Sequence, residues 1–368
     1  MDKEIIPLSR PNITEEDIEK VAEVLRTGML VQGNNVLKLE GFTNELISSR
    51  YCSAVSSGTA SLHLAMIALG IGPGDEVIVP AFSFIATANV VELVGAKCVF
   101  VDIHPRYFNI DVKKIDKVIT PRTKAIIPVH EFGLCANMNE IIKIAEKHHL
   151  FVLEDAACAL GATFGNKYAG TFGHFGSFSL HPRKAITAGE GGLLVTNSAS
   201  LENEIKSLRN HGIEMNSSPM EFISAGLNYR MTDFQAALVL NQMKRLSSIL
   251  EYRNKLACVY IENIKNQNII LPEFPENAKH TWQTFHIVTE SNKKREELMA
   301  YLKNYGVMSN YGAQCIPATK YYQEKYGLDA ENEFPEAYRA YKCGLAIPLH
   351  ERLNENQINT IINLINRF

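Results

Sequence analysis

Lys184 closes the stretch Ser177-Phe178-Ser179-Leu180-His181-Pro182-Arg183-Lys184, in which an apolar run ends in hydroxyl-bearing residues and a lysine follows. A glycine-rich turn, Gly189-Glu190-Gly191-Gly192, comes next and leads into another apolar run. Upstream, Glu154-Asp155 directly follows the apolar run Phe151–Leu153, which puts a carboxylate at the end of a strand. Earlier still, Ser56-Ser57-Gly58-Thr59-Ala60-Ser61 opens a helical pattern that ends at Gly70. Small residues let backbone approach a ligand closely, and the free N–H groups and positive dipole end of a helix favour an anion such as phosphate. Each feature alone has an ordinary reading: a Ser/Thr helix cap, a loop acid, a surface lysine. Together they supply an amine, an acid and an anion cup.

Pyridoxal phosphate (PLP) needs that combination. Its aldehyde requires a lysine whose amine can be neutral and nucleophilic, which burial or nearby cations promote. Its ring nitrogen stays protonated beside a buried carboxylate and then acts as an electron sink. Its phosphate needs N–H groups and hydroxyls.

The elements that would position these groups alternate along the chain. Strands are expected at Val77–Pro80, Cys98–Asp102, Ala125–Val129, Phe151–Leu153, Gly176–Leu180 and Gly192–Thr196, with helices between several of them, notably Thr59–Leu69 and Asn139–His148. This rhythm of continuous apolar strands and amphipathic helices predicts an α/β fold, its mostly parallel sheet covered on both faces. Ligands in such sheets sit beyond the carboxyl ends of the strands. An N-terminal helix is expected after Thr14, with Asp17 completing its cap and Ile18, Val21, Val24 and Leu25 forming an apolar stripe up to Gly28. Thr232–Tyr260 reads as one long helical stretch. A strand at His286–Thr289 and helices at Arg295–Tyr305 and Asn356–Ile365 make a smaller C-terminal α/β domain. The expected division is 1–245 and 246–368.

Bulk properties exclude several functions. The 368 residues are 46% apolar and 21% charged, with a net charge of −3, so nothing draws the chain broadly toward nucleic acid or anionic lipid. Lys293-Lys294-Arg295 is followed by Glu296-Glu297 and reads as a solvated helix start after Ser291. The start Met1-Asp2-Lys3-Glu4 lacks a signal sequence, and no stretch is apolar enough to span a bilayer. Seven scattered cysteines without a Cys-x-x-Cys pair fit neither a disulfide framework nor a zinc ribbon. His130-Glu131 lacks the second histidine of a zincin, so no metal is expected. A cytoplasmic location follows as an expectation.

Leu153-Glu154-Asp155-Ala156-Ala157, Ser179-Leu180-His181-Pro182-Arg183-Lys184 and Gly189-Glu190-Gly191-Gly192 are joined by four further motifs. These are Ser57-Gly58-Thr59-Ala60, Val79-Pro80-Ala81-Phe82-Ser83-Phe84 with Ile85-Ala86-Thr87-Ala88-Asn89, Asn228-Tyr229-Arg230-Met231-Thr232-Asp233, and Ile347-Pro348-Leu349-His350. In this order, across nearly the whole chain, they resemble the DegT/DnrJ/StrS-type sugar aminotransferases, which are fold-type I PLP enzymes. The resemblance implies a large PLP-binding domain with a sheet of the seven-stranded type and a smaller C-terminal domain. It implies that Lys184 holds PLP as a Schiff base and moves the proton, Asp155 pairs with the ring nitrogen, and Phe84 stacks on the ring. Gly58, Thr59, Ala60 and Ser179 would hold the phosphate, with Asn228 reaching it from the neighbouring subunit of a homodimer. Arg230, Tyr311 and His350 are candidates for contacting substrate. Ordinary rivals stand beside these roles: Phe84 as a core aromatic, Asn228 as a turn residue, Arg230 as an ion-pair partner.

The implied reaction takes an amino group from L-glutamate, passes it through the pyridoxamine form, and gives it to a keto sugar. That acceptor would be nucleotide-linked and destined for surface polysaccharide. A smaller phosphorylated ketone is the alternative acceptor, and a non-catalytic PLP-binding regulator is a further alternative. The sugar dehydratase branch, with histidine in place of the lysine, is disfavoured by Lys184. The sequence also departs from the family's pattern. Cys158 stands where glutamine or histidine often contacts the ring hydroxyl, and a thiol is a poor substitute. The run His130-Glu131-Phe132-Gly133-Leu134-Cys135 replaces the usual Leu-Tyr and Gln-Pro dipeptides.

Overall fold

The structure, a computed structural model, describes residues 5–214 and 217–368. The start Met1–Glu4, on which the leader expectation rests, lies outside the described residues.

Helix α1 (Glu15–Thr27) begins with the expected capping box: the Thr14 N–H donates to Asp17 Oδ2 at 2.8 Å, and the Asp17 N–H returns a bond to Thr14 Oγ1 at 3.3 Å. It ends at Gly28, whose φ of 72° is the left-handed conformation glycine adopts freely. The expected apolar stripe is corrected in part. Val24 is buried, but Ile18 and Leu25 are about half exposed in the single chain. Polar contacts tether the helix instead, because buried Asp17 accepts from Asn241 Nδ2 at 2.8 Å and Arg245 Nη2 at 2.6 Å.

Seven strands form the central sheet: β1 (Tyr51–Val55), β2 (Glu76–Pro80), β3 (Lys97–Val101), β4 (Thr123–Ile126), β5 (Phe151–Asp155), β6 (Phe175–Ser179) and β7 (Gly192–Thr196). Their order is β1-β7-β6-β5-β4-β2-β3. Pairings from β6 through β3 are parallel, while β7 runs antiparallel to both β6 and β1. Helices cover both faces, as the continuous apolar strands demand. Alternation sends Val77, Val79, Leu153, Phe175 and Leu194 into one apolar cluster, and Ile78, Ile126, Val152, Phe178 and Val195 into a second.

The long helical stretch expected over Thr232–Tyr260 is two helices, α2 (Asp233–Met243) and α3 (Leu246–Asn263). At the break, the Arg245 N–H bonds to the Gln242 carbonyl three residues back, while its side chain turns to Asp17. Arg245 itself leaves helical geometry, at φ −103° and ψ 0°. Helix α3 bridges two clusters: Leu246, Ile249 and Leu250 pack under the large sheet, and Leu256, Ala257 and Tyr260 join a third core. That third core surrounds a small antiparallel sheet of β8 (Ile269–Ile270), β9 (Phe285–Thr289) and β10 (Gly344–Ile347). Helices α4 (Asn292–Asn304), capped by Ser291, and α5 (Glu355–Arg367) cover it. Ile6, from the start of the chain, also packs there and bridges to Val307.

Candidate active site

The carboxyl ends of β2, β4, β5 and β6 open on one edge of the sheet, where β1 also ends and β7 begins. Register fixes the neighbours: Asp155 lies beside Ser177, Ser179 beside Gly192, and Gly192 beside Val55. The helix Gly58–Ala68 starts there, with the Ala60 N–H capped by Ser57 Oγ at 3.0 Å. The first-turn N–H groups of Gly58 and Thr59 precede its internal bonding pattern and have no intrahelical acceptor. Gly58 is obligatory, since a Cβ there would stand 2.8 Å from Ser179 Cβ. Gly192 is pressed as closely, its absent Cβ lying 2.4 Å from the Ser57 carbonyl oxygen. Buried Ser61 and Ser177 hydroxyls bond each other and pin the helix to β6. Gly58, Thr59 and Ser179 thereby form one cup, with Thr59 exposed and Ala60 buried behind it.

Successive acids of β5 face opposite ways. Glu154 is fully buried and saturated: His130 Nε2 donates to it at 2.9 Å, and the N–H groups of Gly170, Phe172 and Gly173 donate at 2.8, 2.6 and 2.7 Å. Burial opposes charge on the His130 ring, but the Cys135 sulfur and Glu154 outweigh it and raise its pKa. Asp155, 6% exposed, has a thinner set of partners: Thr87 Oγ1 donates at 2.7 Å and the Ala157 N–H at 3.2 Å. Burial pushes its carboxyl pKa up, against those bonds and the Lys184 charge.

Lys184 sits in the turn after β6, and its Nζ donates to Cys158 Sγ at 3.0 Å. Burial raises the Cys158 thiol pKa, Lys184 lowers it, and the Glu131 charge raises it further. The C-terminal region closes over this turn. Thr281 Oγ1 donates to the Cys158 carbonyl at 2.8 Å, and Gln283 Nε2 donates to the Arg183 carbonyl at 3.1 Å.

Phe84 follows the two-residue strand Phe82–Ser83 and is 64% exposed, so its ring is free to cover a ligand and is not a core aromatic. Gln314–Cys315 pairs with that strand and brings the Tyr311 loop alongside, where the Arg295 guanidinium lies 4.2 Å from the Tyr311 ring centre. Arg230 bridges Val55 through backbone and reaches Asn210 Oδ1 with its guanidinium, while Asn228 is exposed and backbone-paired to Asn210. His350 departs from the expected substrate-facing position. It is 1% exposed and lies 3.1 Å from the Pro7 carbonyl through Nε2, so burial turns it into an anchor for the N-terminal segment.

Two residues were not singled out from sequence. Thr87, the partner of Asp155, lies in the helix Ala86–Leu93 and sits inside a quoted motif, yet its role shows only once the helix is docked. Glu131, 5% exposed, lies in the loop beyond the carboxyl end of β4 and has an Oε2 with no hydrogen-bond partner among the described residues. Burial, reinforced by Asp155 and opposed by Lys184, pushes its pKa to about 8. Its position beyond a parallel strand was the available signal.

These residues fit PLP. A lysine amine, an incompletely partnered buried carboxylate and a helix start that admits no Cβ lie on one edge of one sheet.

Comparison with known proteins agrees. Residues 11–366 match the DegT/DnrJ/EryC1/StrS aminotransferase family. The UDP-N-acetyl-3-dehydro-alpha-D-glucosamine 3-aminotransferase of Acidithiobacillus ferrooxidans is 36% identical, covering 96% of this chain and 94% of that protein. GDP-perosamine synthase of Escherichia coli O157:H7 is 34% identical over 99% of this chain and 98% of its own. A sugar aminotransferase of Streptococcus pneumoniae in its PMP form superposes with a TM-score of 0.94 at 28% identity, covering 99% of this chain and 97% of that one. The PLP form of that enzyme superposes with the same score. A family match over almost the entire length, a shared fold-type I architecture and a PLP-compatible edge place this chain in the DegT/DnrJ/EryC1/StrS family of PLP-dependent aminotransferases.

Proposed function

We propose that this enzyme aminates a nucleotide-linked keto sugar for surface polysaccharide, with L-glutamate as donor. The observation that carries the reading is Lys184 and Asp155 on one sheet edge beside the Gly58 helix start, in a chain more than a third identical to enzymes named for UDP- and GDP-linked sugars. PLP supplies the aldehyde that captures amines and the ring that delocalises the electrons left when a proton departs. Lys184 anchors it through Nζ and then carries the proton to and from the substrate carbon. Asp155 holds the positive charge of the ring nitrogen, with Thr87 fixing the orientation of its carboxylate. Gly58, Thr59 and Ser179 hold the phosphate, and Phe84 covers the ring. Arg230 and Tyr311 contact the acceptor.

The working unit is a homodimer in the cytoplasm, Asn228 reaching the cup of the partner subunit. Support comes from the exposed apolar side chains Met220, Phe222 and Ile223, each above 60% exposed, on the segment that leads to Asn228. Each chain divides near residue 245 into a cofactor domain, 1–245, and a smaller domain, 246–368. The helix break at Lys244–Arg245 supports that boundary.

Purified enzyme loaded with PLP and given glutamate should release one equivalent of 2-oxoglutarate per site, and should go on releasing it only when a keto-sugar nucleotide is also turned over. Lys184→Ala should lose turnover entirely, and borohydride should link no cofactor to it covalently. Turnover in that variant would overturn the assignment of Lys184. Amination of small phosphorylated ketones in preference to nucleotide sugars would overturn the acceptor class.

A further inference from the structure

Glu131 is a buried acid with one carboxyl oxygen left unpaired among the described residues. Its backbone is fixed: the N–H donates to Asn109 Oδ1 at 2.9 Å, and Phe132 follows at φ 56°, turning the chain into Gly133. The residue is only 5% exposed, yet Oε2 lacks a partner among the described residues. A buried polar atom left unpaired forfeits its hydration without compensation, and native interiors rarely leave one without a ligand or water to complete it.

Topology says which ligand edge it faces. Lys184 and Asp155 are assigned to opposite ends of the PLP ring, the aldehyde carbon and the ring nitrogen. Between those ends the ring has two edges, one carrying the phosphate arm and the other the phenolic oxygen. The cup of Gly58, Thr59 and Ser179 lies on the β6–β7–β1 flank of β5, which gives that flank the phosphate edge. Glu131 follows β4, on the other flank of β5, and its carboxyl is within electrostatic reach of Asp155, Lys184 and Cys158 at once. A group so placed meets the edge bearing the phenolic oxygen. Cys158, the other residue beside Lys184, offers there only a thiol, a weak donor.

We propose that the Glu131 carboxyl group donates a hydrogen bond to the phenolic oxygen of PLP and thereby sets the pH at which the Lys184–cofactor linkage loses its proton. This inference rests on the assignment of Lys184 and Asp155 made above. Burial and the Asp155 charge keep the Glu131 carboxyl protonated near neutrality, the state in which it can donate. The charged groups around it are Asp155 from β5 and Lys184 from the turn after β6. Cys158 faces it from the loop after β5, and His130 on its own loop is turned away to Glu154. A donor on the phenolic oxygen draws off negative charge, so the neighbouring Lys184 nitrogen holds its proton less tightly. Once Glu131 ionises, its charge does the reverse, and the two titrations become coupled.

The test is an absorbance titration of PLP-loaded wild type, Glu131→Leu and Glu131→Gln between about pH 6 and 10, with PLP affinity measured on each apoenzyme. Glu131→Leu, without a donor, should titrate about one pH unit higher and bind PLP roughly tenfold more weakly. Glu131→Gln keeps an N–H donor but cannot ionise, so it should start near wild type and titrate in a single step where wild type shows two coupled ones. Should Glu131→Leu not fold, the Gln curve decides alone: a curve superimposable on wild type overturns the proposal. Leu and Gln variants that shift equally overturn it as well. Wild-type protein in which borohydride fixes nothing at Lys184 overturns the Lys184 assignment and this inference together, whereas unchanged titrations in a labelled enzyme remove the role of Glu131 alone.

Discussion

Glu154 and Asp155 are neighbours in sequence, both buried at the end of β5, and they live in opposite worlds. On one face, Glu154 collects three backbone N–H groups and the His130 ring, and the chain from Gly170 to Gly173 is folded around it. On the other, Asp155 has one hydroxyl and one distant N–H, while nearby Glu131 has an oxygen with no partner among the described residues. The first arrangement is complete and serves the fold. The second holds two buried acids short of partners, a cost that a bound cation-bearing ring can offset. Period-two alternation along a strand is what lets one dipeptide serve both ends.

Exchanging the two acids in turn should separate these roles, with the largest effects expected there. Glu154→Ala removes the partner of a buried ring and orphans three backbone donors, so unfolding free energy should drop by about 3–5 kcal/mol. Asp155→Ala should leave the melting midpoint of the apoenzyme unchanged or higher, yet lower kcat on the order of a hundred- to a thousandfold, as loss of a preorganised charge does. Paired urea melts and steady-state rates check both. A stable, inactive Glu154→Ala protein, or an unfolded Asp155→Ala protein, would break the contrast.

A smaller effect concerns pH. Glu131 and Asp155 hold protons more tightly when folded than when unfolded, Glu131 up to about pH 8 against an ordinary value of 4.5. Within that window the unfolded chain releases protons that the folded chain keeps, so folding becomes less favourable as pH rises. The cofactor-free protein should therefore lose stability, on the order of a few kcal/mol, between about pH 5 and 8. Glu131→Gln should flatten that slope and PLP should reverse part of it by occupying the site. Thermal melts of wild type and variant that stay parallel across the range would show that Glu131 does not carry the penalty.

Much of the frame is readable from residue types. Gly192–Thr196 is a strand with the expected bounds, Thr14, Asp17 and Gly28 bracket α1, and the remaining expected strands lie within a few residues of those observed. Such features are local: period, cap and turn chemistry act over a few residues. The misses are non-local. Tyr51–Val55 gave no separate signal, and it is an edge strand held by β7. Thr232–Tyr260 has helical pattern throughout, and its break depends on Asp17, more than two hundred residues away, capturing Arg245. Ile18 and Leu25 fit the stripe but lack a covering surface within one chain. In the site, Lys184, Asp155 and Gly58 are betrayed by motif and by position at element ends. Thr87 and Glu131 carry only a place inside a quoted run and, for Glu131, a place beyond a parallel strand, because a hydroxyl in a helix and an acid in a loop acquire meaning from what packs against them.

Thr87 supplies the finest test of the contrast between the two faces. It links Ser83, at 3.1 Å, to Asp155, at 2.7 Å, and is therefore the strongest hold that the functional face places on its acid. Thr87→Val keeps shape and burial but deletes the donor, leaving Asp155 Oδ2 dependent on whatever binds opposite. Without cofactor, the variant should lose about 1 kcal/mol at a pH where Asp155 is charged, and nearly nothing at a pH where it is protonated. On the proposed pairing of Asp155 with the ring nitrogen, bound PLP would take over as partner, so the stability loss should shrink while kcat falls several-fold from misorientation of the carboxylate. A stability loss equal in apo and loaded enzyme would mean that Thr87 serves packing alone, and that the two faces of β5 differ less in kind than in how many bonds each happens to make.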